Sequence, residues 1–111
     1  MATTLRPEYY AVTRALLAPI LTRVHFGTSG EAEAAVITDP IERAVLQAEM
    51  RPDGRTLRLH FLLEPGGAPI GTQIREIGLL SVDGRMVARR VGPPLEITDD
   101  LGIGDYFDIQ V

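Results

Sequence analysis

The chain has no cysteine, no lysine and no tryptophan among its 111 residues, and only 5% of its residues are aromatic. Without cysteine, disulfides, thiolate metal sites and thiol nucleophiles are excluded, and the sequence is silent on redox compartment. All 11 basic residues are arginines. This bias is typical of GC-rich coding, and arginine also favours planar, bidentate contacts at interfaces.

Excess positive charge is also lacking, since the net charge is -4 and the pI is about 5.1. That balance is opposite to what phosphate neutralisation requires, so no nucleic-acid partner is expected. The start of the chain has no continuous apolar core, because Glu8, Thr13, Arg14 and Pro19 interrupt it. We therefore expect no export segment and no membrane partner, and a protein that folds in the cytoplasm where it is made.

What is present is ordinary globular composition, with 45% hydrophobic and 23% charged residues. This balance argues against disorder. A chain of 111 residues can bury one modest core and is too short for two. The sequence predicts a single domain over residues 1–111.

The first segment with a clear period is helical. Pro7 suits a first helical turn, apolar residues recur at helical spacing from Val12 to Ile20, and Pro19 should end or kink the helix. The following "RVHFGTSG" indicates a short strand that runs into a turn. Residues 31–38 are interpreted as either a loop or a short helical turn.

The middle of the chain predicts a first β-hairpin. "IERAVLQAEM" alternates like a strand, although Ile41, Val45 and Ala48 also fit helical spacing. The turn sequence "RPDGR" favours the strand, because Pro52 and Gly54 suit a tight loop. The returning strand "RTLRLHFLLE" places one apolar face on Leu57, Leu59, Phe61 and Leu63.

A second hairpin is predicted around Asp83 and Gly84, as a two-residue primed turn in which both residues have positive φ. That register places Leu79 opposite Ala88, Leu80 opposite Val87 and Ser81 opposite Met86. Gly78 should mark a bulge or a close approach. The apolar residues that hold this hairpin are Ile74, Ile77, Leu79 and Leu80.

The chain should finish with a strand in which Tyr106, Asp108 and Gln110 alternate with Phe107, Ile109 and Val111. The predicted fold class is therefore α+β. An N-terminal helix packs on an antiparallel β-sheet, or on a small sandwich, built from the two hairpins and the C-terminal strand.

No constellation of residues indicates catalysis. His25 and His60 are the only histidines, and neither has metal-ligand spacing to another ligand. Ser29 has no nucleophile motif, and Glu76 would need burial and a paired group to act as an acid. The acidic residues near the end lack the alternating ligands of a calcium loop. No catalytic residue, metal or cofactor is predicted.

The charges are distributed unevenly along the chain. Five acidic residues and no basic one follow from Glu96 onward, whereas arginines cluster just upstream. Patches of opposite sign suit association with other copies or with a complementary neighbour, because they fix register as well as attract. A solvated surface with chance clustering is the alternative. The predicted interface residues are Arg75, Arg89, Arg90, Asp99, Asp100 and Asp105.

One family resemblance rests on the second hairpin. "IREIGLLSVDGRMVAR", Ile74 to Arg89, is similar to the Ile-x-Glu-Ile-Gly-Leu strand, acidic-Gly turn and returning apolar strand of the N-terminal domain of bacteriophage tail-fibre and tail-collar-type proteins. "FGTSG" followed by "TDP" resembles that family's Gly-Thr-rich loop. The resemblance covers roughly residues 15 to 111, and it is strong only over about the last forty.

The resemblance implies a non-enzymatic virion protein that attaches a fibre or adaptor to the tail or baseplate, with other virion proteins and its own copies as partners. Family members commonly continue into a fibre shaft, whereas this chain stops at Val111. We therefore expect a free-standing attachment module, an adaptor or a capsid decoration protein. The alternative is a carbohydrate- or small-ligand-binding module that stacks a sugar on Tyr9, Tyr10 and Tyr106. An enzyme is a third alternative.

Overall fold

The computed structural model describes residues 2–4, 6–29, 37 and 39–110, apart from three side chains of the helix. Of these 100 residues, 51 lie in strands. The elements in chain order are α1 Pro7–Leu17, β1 Leu21–Gly27, β2 Ile41–Ala44, β3 Gln47–Met50, β4 Thr56–Leu63, β5 Gln73–Ser81, β6 Met86–Glu96 and β7 Ile103–Gln110.

The strands form two antiparallel sheets. Sheet A has the order β2-β1-β5-β6, and sheet B has the order β3-β4-β7. The chain crosses between the sheets at residues 45 and 46. The Val45 amide donates to the Thr22 carbonyl of sheet A at 2.9 Å, and the next amide, of Leu46, donates to the His60 carbonyl of sheet B at 2.9 Å. Strands that switch sheets in this way make the corners of a sandwich.

The first predicted hairpin is confirmed in its turn and its return strand, and wrong in its first strand. Gly54 has a φ of +68°, and the Arg51 amide closes the loop on the Thr56 carbonyl at 2.9 Å. The alternating face of β4 is buried as predicted. The segment Ile41–Met50, however, is two strands in two sheets, because its halves pair with different partners, β1 and β4.

The core lies between the two sheets. Phe26 of β1 meets Phe61 of β4 edge-on at 5.6 Å between ring centroids, and Phe61 meets Phe107 of β7 at 5.5 Å. Such tilted pairs add to the burial of apolar surface. β6 is an edge strand of sheet A, and its residues are half-buried or exposed along its whole length.

The predicted fold class is wrong, although the helix itself forms where it is predicted. Among the described side chains, Leu17 and Ala18, at and just after the end of helix α1, pack against the core, and the rest of the helix makes no extensive contact with either sheet. The physical reason is that the two sheets bury each other's apolar faces, which leaves no sheet face for a helix. The fold is a mainly β arrangement of two sheets with one appended helix.

The second hairpin forms with a different turn from the predicted one. Gly84 has a φ of +89°, whereas Asp83 does not have positive φ. The Gly84 amide donates to the Ser81 carbonyl at 2.9 Å, as in a type I turn followed by a G1 bulge, which requires only one left-handed residue. The register slips accordingly. Leu79 lies opposite Ala88 as predicted, but Leu80 lies opposite Met86 instead of Val87.

The C-terminal strand is confirmed as β7, which pairs with β4 along its whole length. Residue 111 lies outside the described residues. The prediction for residues 31–38 also falls outside them, except for Ile37, which is buried.

Candidate functional site

Glu76 and Arg89 of the second hairpin form a buried ion pair. Glu76 Oε2 of β5 accepts from Arg89 Nη2 at 2.6 Å and from Nε at 3.2 Å. The two side chains are 1% and 13% exposed. Such a pair is stable only when both partners are present, because either charge alone would be buried without compensation.

The residue across from Glu76 explains how this carboxylate fits. Gly27 of β1 is the cross-strand partner of Glu76, and a Cβ built there would lie 2.5 Å from Glu76 Oε1. A side chain at this position would therefore displace the carboxylate. Gly78, two residues along, has Met86 Sδ and Ile37 Cδ1 at 2.7 and 3.0 Å from the place of a Cβ, which is the close approach predicted for it.

Arg89 and Arg90 point to opposite faces of β6, as their alternation predicts. Arg90 Nη1 donates to Asp105 Oδ2 at 2.8 Å, and Nη2 donates to the Tyr106 carbonyl at 2.8 Å. Its guanidinium carbon lies 4.8 Å from the Phe107 ring centroid. Arg90 therefore links β6 of sheet A to β7 of sheet B.

The predicted interface residues thus separate into three groups. Arg89 is buried against Glu76, so its role is structural and it cannot meet a carboxylate on another chain. Arg90 and Asp105 are brought together, but within one chain. Arg75, Asp99 and Asp100 are exposed. The residues predicted to hold the hairpin, Ile74, Ile77, Leu79 and Leu80, are all buried.

The outer face of sheet B carries a second polar cluster. Arg58 binds Asp108 through two hydrogen bonds, of 2.9 and 3.1 Å, and this holds the pKa of Asp108 below its ordinary value. The Arg58 guanidinium carbon lies 3.7 Å from the centroid of the Tyr106 ring. Tyr106 is thus in contact with an arginine of its own sheet. Tyr9 belongs to α1, and the side chain of Tyr10 lies outside the described ones, so the tyrosine platform stays a prediction.

A fourth ion pair connects β2 to the loop that follows β4. Arg43 Nη2 and Nε donate to the two carboxylate oxygens of Glu64 at 2.7 and 3.0 Å, and Nη2 also approaches the Gly67 carbonyl at 3.3 Å. The Arg43 hydrogen bonds lower the pKa of Glu64 to about 2. Because β2 belongs to sheet A and Glu64 follows a strand of sheet B, this pair fastens one sheet to the other.

The residues that sequence reasoning missed are apolar. Along and just after α1, the side chains of Tyr9, Val12, Leu16 and Ile20 are exposed, and we call them the α1 row. The helical spacing of Val12, Leu16 and Ile20 in the sequence predicts a buried face. That interpretation is wrong for these side chains, because the described residues provide no surface that covers them, and no local signal in the sequence indicates this.

A pocket of about 220 Å³ opens beside the irregular end of β6. Its lining is mainly hydrophobic, with Arg75 and Arg90 among the residues that form it. Glu76, the one acidic residue of the lining, is already bound to Arg89. We call it the β6 pocket.

The described residues contain no group of three or more His, Asp or Glu side chains placed to hold a metal ion. His25 and His60 each lie next to one carboxylate, Glu42 at 3.1 Å and Glu49 at 3.5 Å. Within the described ranges, no helix has the length and apolar character needed to cross a membrane.

The sequence matches no family model and no curated protein.

Proposed function

We propose that this chain is a non-enzymatic structural protein of a bacteriophage or phage-tail-like particle, which docks a fibre or adaptor to the tail or baseplate by protein-protein contacts. The choice of particle rests on the resemblance of Ile74 to Arg89 to tail-fibre and tail-collar-type proteins. The protein would be made in the host cytoplasm and reside in the virion.

The observation that carries the docking role is the α1 row. Val12 and Leu16 are 60% and 64% exposed, on a helix of 11 residues whose described side chains contact the core only near its end. Isolated helices of this length are marginal in water, and most helical stability comes from packing an apolar face. A helix that keeps such a face outside its own core therefore calls for a partner surface.

The fold also presents this helix well for docking. The molecule measures 59 × 29 × 24 Å, and its radius of gyration of 15.8 Å exceeds the roughly 13 to 14 Å expected for a compact chain of this length. The sheets provide a rigid base, since the buried Glu76 and Arg89 pair and the Arg43 and Glu64 pair fix the strands around it. An appended helix on a rigid base suits insertion into a groove of a neighbouring virion protein.

An enzymatic role has less support from the geometry. The enzyme alternative requires a pocket with two coupled carboxylates, and the β6 pocket has one acidic residue in its lining, bound to an arginine. The sugar-binding alternative has less support as well, because the Arg58 guanidinium lies against the Tyr106 ring.

The proposal is tested by replacing the chain in particle-producing cells with the Val12→Asp/Leu16→Asp double variant. A matched control is Leu46→Asp, at a side chain that is 66% exposed on the link between β2 and β3. Particles are purified on a density gradient, and the chain is quantified in them by mass spectrometry.

We expect the control to be incorporated at the wild-type level and the α1 variant to stay in the unassembled fraction, because a charge on the α1 row opposes burial in a groove. Wild-type incorporation of the α1 variant would overturn the docking role of α1. Absence of the wild-type chain from purified particles would overturn the virion assignment.

A further inference from the structure

The β6 pocket is produced by an irregularity in the ladder between β5 and β6. Ile74 pairs with Leu95 and Glu76 pairs with Val91, so Gly92, Pro93 and Pro94 bulge opposite a single residue of β5. The two prolines have no amide hydrogen to donate to a ladder, so such residues are confined to sheet edges and bulges.

The size of the pocket fits a single side chain. Its volume of about 220 Å³ is below the roughly 300 to 1,000 Å³ of small-molecule sites. Ile74, Ile77, Pro93 and Leu95 supply its hydrophobic lining, and Arg75 and Arg90 add positive charge to it. An apolar side chain with acidic neighbours is therefore the chemistry that this pocket recognises.

The same chain carries such a group on the turn between β6 and β7. Leu101 is 64% exposed and directly follows Asp99 and Asp100, which are also exposed. The turn has a defined shape, because Thr98 Oγ1 accepts the amides of Asp100 and Leu101 at 3.2 and 2.9 Å. We call Asp99 to Leu101 the acidic tip.

The β6 pocket and the acidic tip adjoin each other. Leu95 lines the pocket and also a shallow groove of about 520 Å³ that reaches Leu101 and Asp105. Leu101 is not among the residues that line the β6 pocket, so the tip does not fill the pocket of its own chain. A surface that holds a cavity and a matching projection side by side is self-complementary, which a two-fold interface requires.

We propose that a second copy of this chain docks here, with Leu101 of each copy in the β6 pocket of the other. Asp99 and Asp100 then face the basic rim formed by Arg75 and Arg90. Arg75 is the more available of the two for a partner's carboxylate. Among the described residues, it approaches Gln73 Oε1 at 3.5 Å, whereas Arg90 forms an ion pair with Asp105. The inference deepens the proposed function by naming one docking partner, on a surface separate from the α1 row.

The test is the dissociation constant of the purified full chain, measured by sedimentation velocity over a concentration series. Leu101→Ala removes the apolar anchor. Gly92→Phe places an aromatic ring on the lining of the pocket, at a position where a Cβ would meet no atom within 4 Å. Leu46→Ala is the matched control, because Leu46 is as exposed as Leu101 but lies on the link between β2 and β3.

We expect a wild-type dimer whose dissociation constant rises about 30-fold or more in Leu101→Ala and in Gly92→Phe, as for the loss of an interface hot spot. Leu46→Ala should dimerise like wild type. An equimolar mixture of the two disrupted variants should form a heterodimer more readily than either alone, because one intact Leu101 meets one intact pocket.

The charge contribution is tested with Arg75→Asp, Asp100→Arg and the double reversal. Each single variant should weaken the dimer, and the double variant should restore part of the affinity, because opposite charges face each other again. The wild-type dimer should also bind more weakly at high salt, which screens these charges. Thermal unfolding of every variant checks that the fold is retained.

A wild-type chain that stays monomeric at its highest soluble concentration overturns the inference, as does an oligomer that Leu101→Ala and Gly92→Phe leave unchanged. These outcomes do not depend on particle docking. A monomer that still enters particles through α1 leaves the proposed function standing, and a dimer that is absent from particles overturns only the proposed function.

Discussion

Removal of one partner of the Glu76 and Arg89 pair should destabilise the fold more than any other single loss of charge on this hairpin. In Arg89→Met the side chain keeps much of its length but loses its charge, and the carboxylate of Glu76, 1% exposed, is left without the guanidinium at 2.6 Å. An uncompensated buried charge costs about 3 to 5 kcal/mol. Because domains of this size have a free energy of unfolding of about 5 to 15 kcal/mol, the loss would be a large part of the total.

The assay is equilibrium urea unfolding of wild type, Arg89→Met, Glu76→Leu and the double variant. Each single variant should lose about 3 kcal/mol or more, whereas the double variant should recover most of this loss, because hydrophobic replacements of a buried pair are often neutral or stabilising. Arg85→Met is the control on the same hairpin, since Arg85 pairs with Asp83 at 3.1 Å but its side chain is 84% exposed. Little change is expected there.

The reasoning would be refuted if Arg89→Met cost no more than Arg85→Met, or if the double variant lost the sum of the two single losses. Either result would mean that burial of the Glu76 carboxylate does not depend on Arg89.

Two further predictions concern the same framework. Gly27→Ala should lower the free energy of unfolding by about 1 to 3 kcal/mol, because the added methyl group overpacks against Glu76 and Ile37. Gly92→Ala is the control and should cause no such loss, because no atom lies within 4 Å of its Cβ. Chemical unfolding of both variants measures the difference. The Arg43 and Glu64 pair should stabilise the fold fully above pH 4.5, the ordinary value for Glu64, and lose that contribution as the pH falls through its folded pKa of about 2. The difference in the free energy of unfolding between wild type and Glu64→Gln should therefore shrink from pH 6 to pH 2. A difference that stays constant over this range would contradict the role of this ion pair.

Local patterns in the sequence account for much of the sheet. The alternation of Leu57, Leu59, Phe61 and Leu63 predicts both β4 and its buried face, because one sheet face is apolar and the other is not. The alternation of Arg89 and Arg90 likewise predicts that they lie on opposite faces. This alternation does not predict which of the two faces is buried, because the burial of Arg89 depends on Gly27 and Ile37, which are distant in sequence.

The features that local sequence patterns do not predict depend on contacts between residues that are distant in the chain. The break between β2 and β3 follows from the pairing of Val45 with Thr22 and of Leu46 with His60, and the alternation in the sequence continues through it. The turn at Gly84 depends on a choice between two hairpin geometries that both accept an Asp-Gly sequence. The α1 row has the periodicity of a buried face, and only the arrangement of the two sheets leaves it exposed.

The most direct test of the docking role is hydrogen exchange at the amides of α1, in the free chain and in the chain assembled into purified particles. In the free chain we predict fast exchange across α1 and slow exchange in β4 and β5, because the described side chains of α1 contact the core only at Leu17, whereas the strands are buried. In the particle, α1 should become protected. Slow exchange of α1 in the free monomer, or fast exchange that persists after assembly, would contradict the docking role.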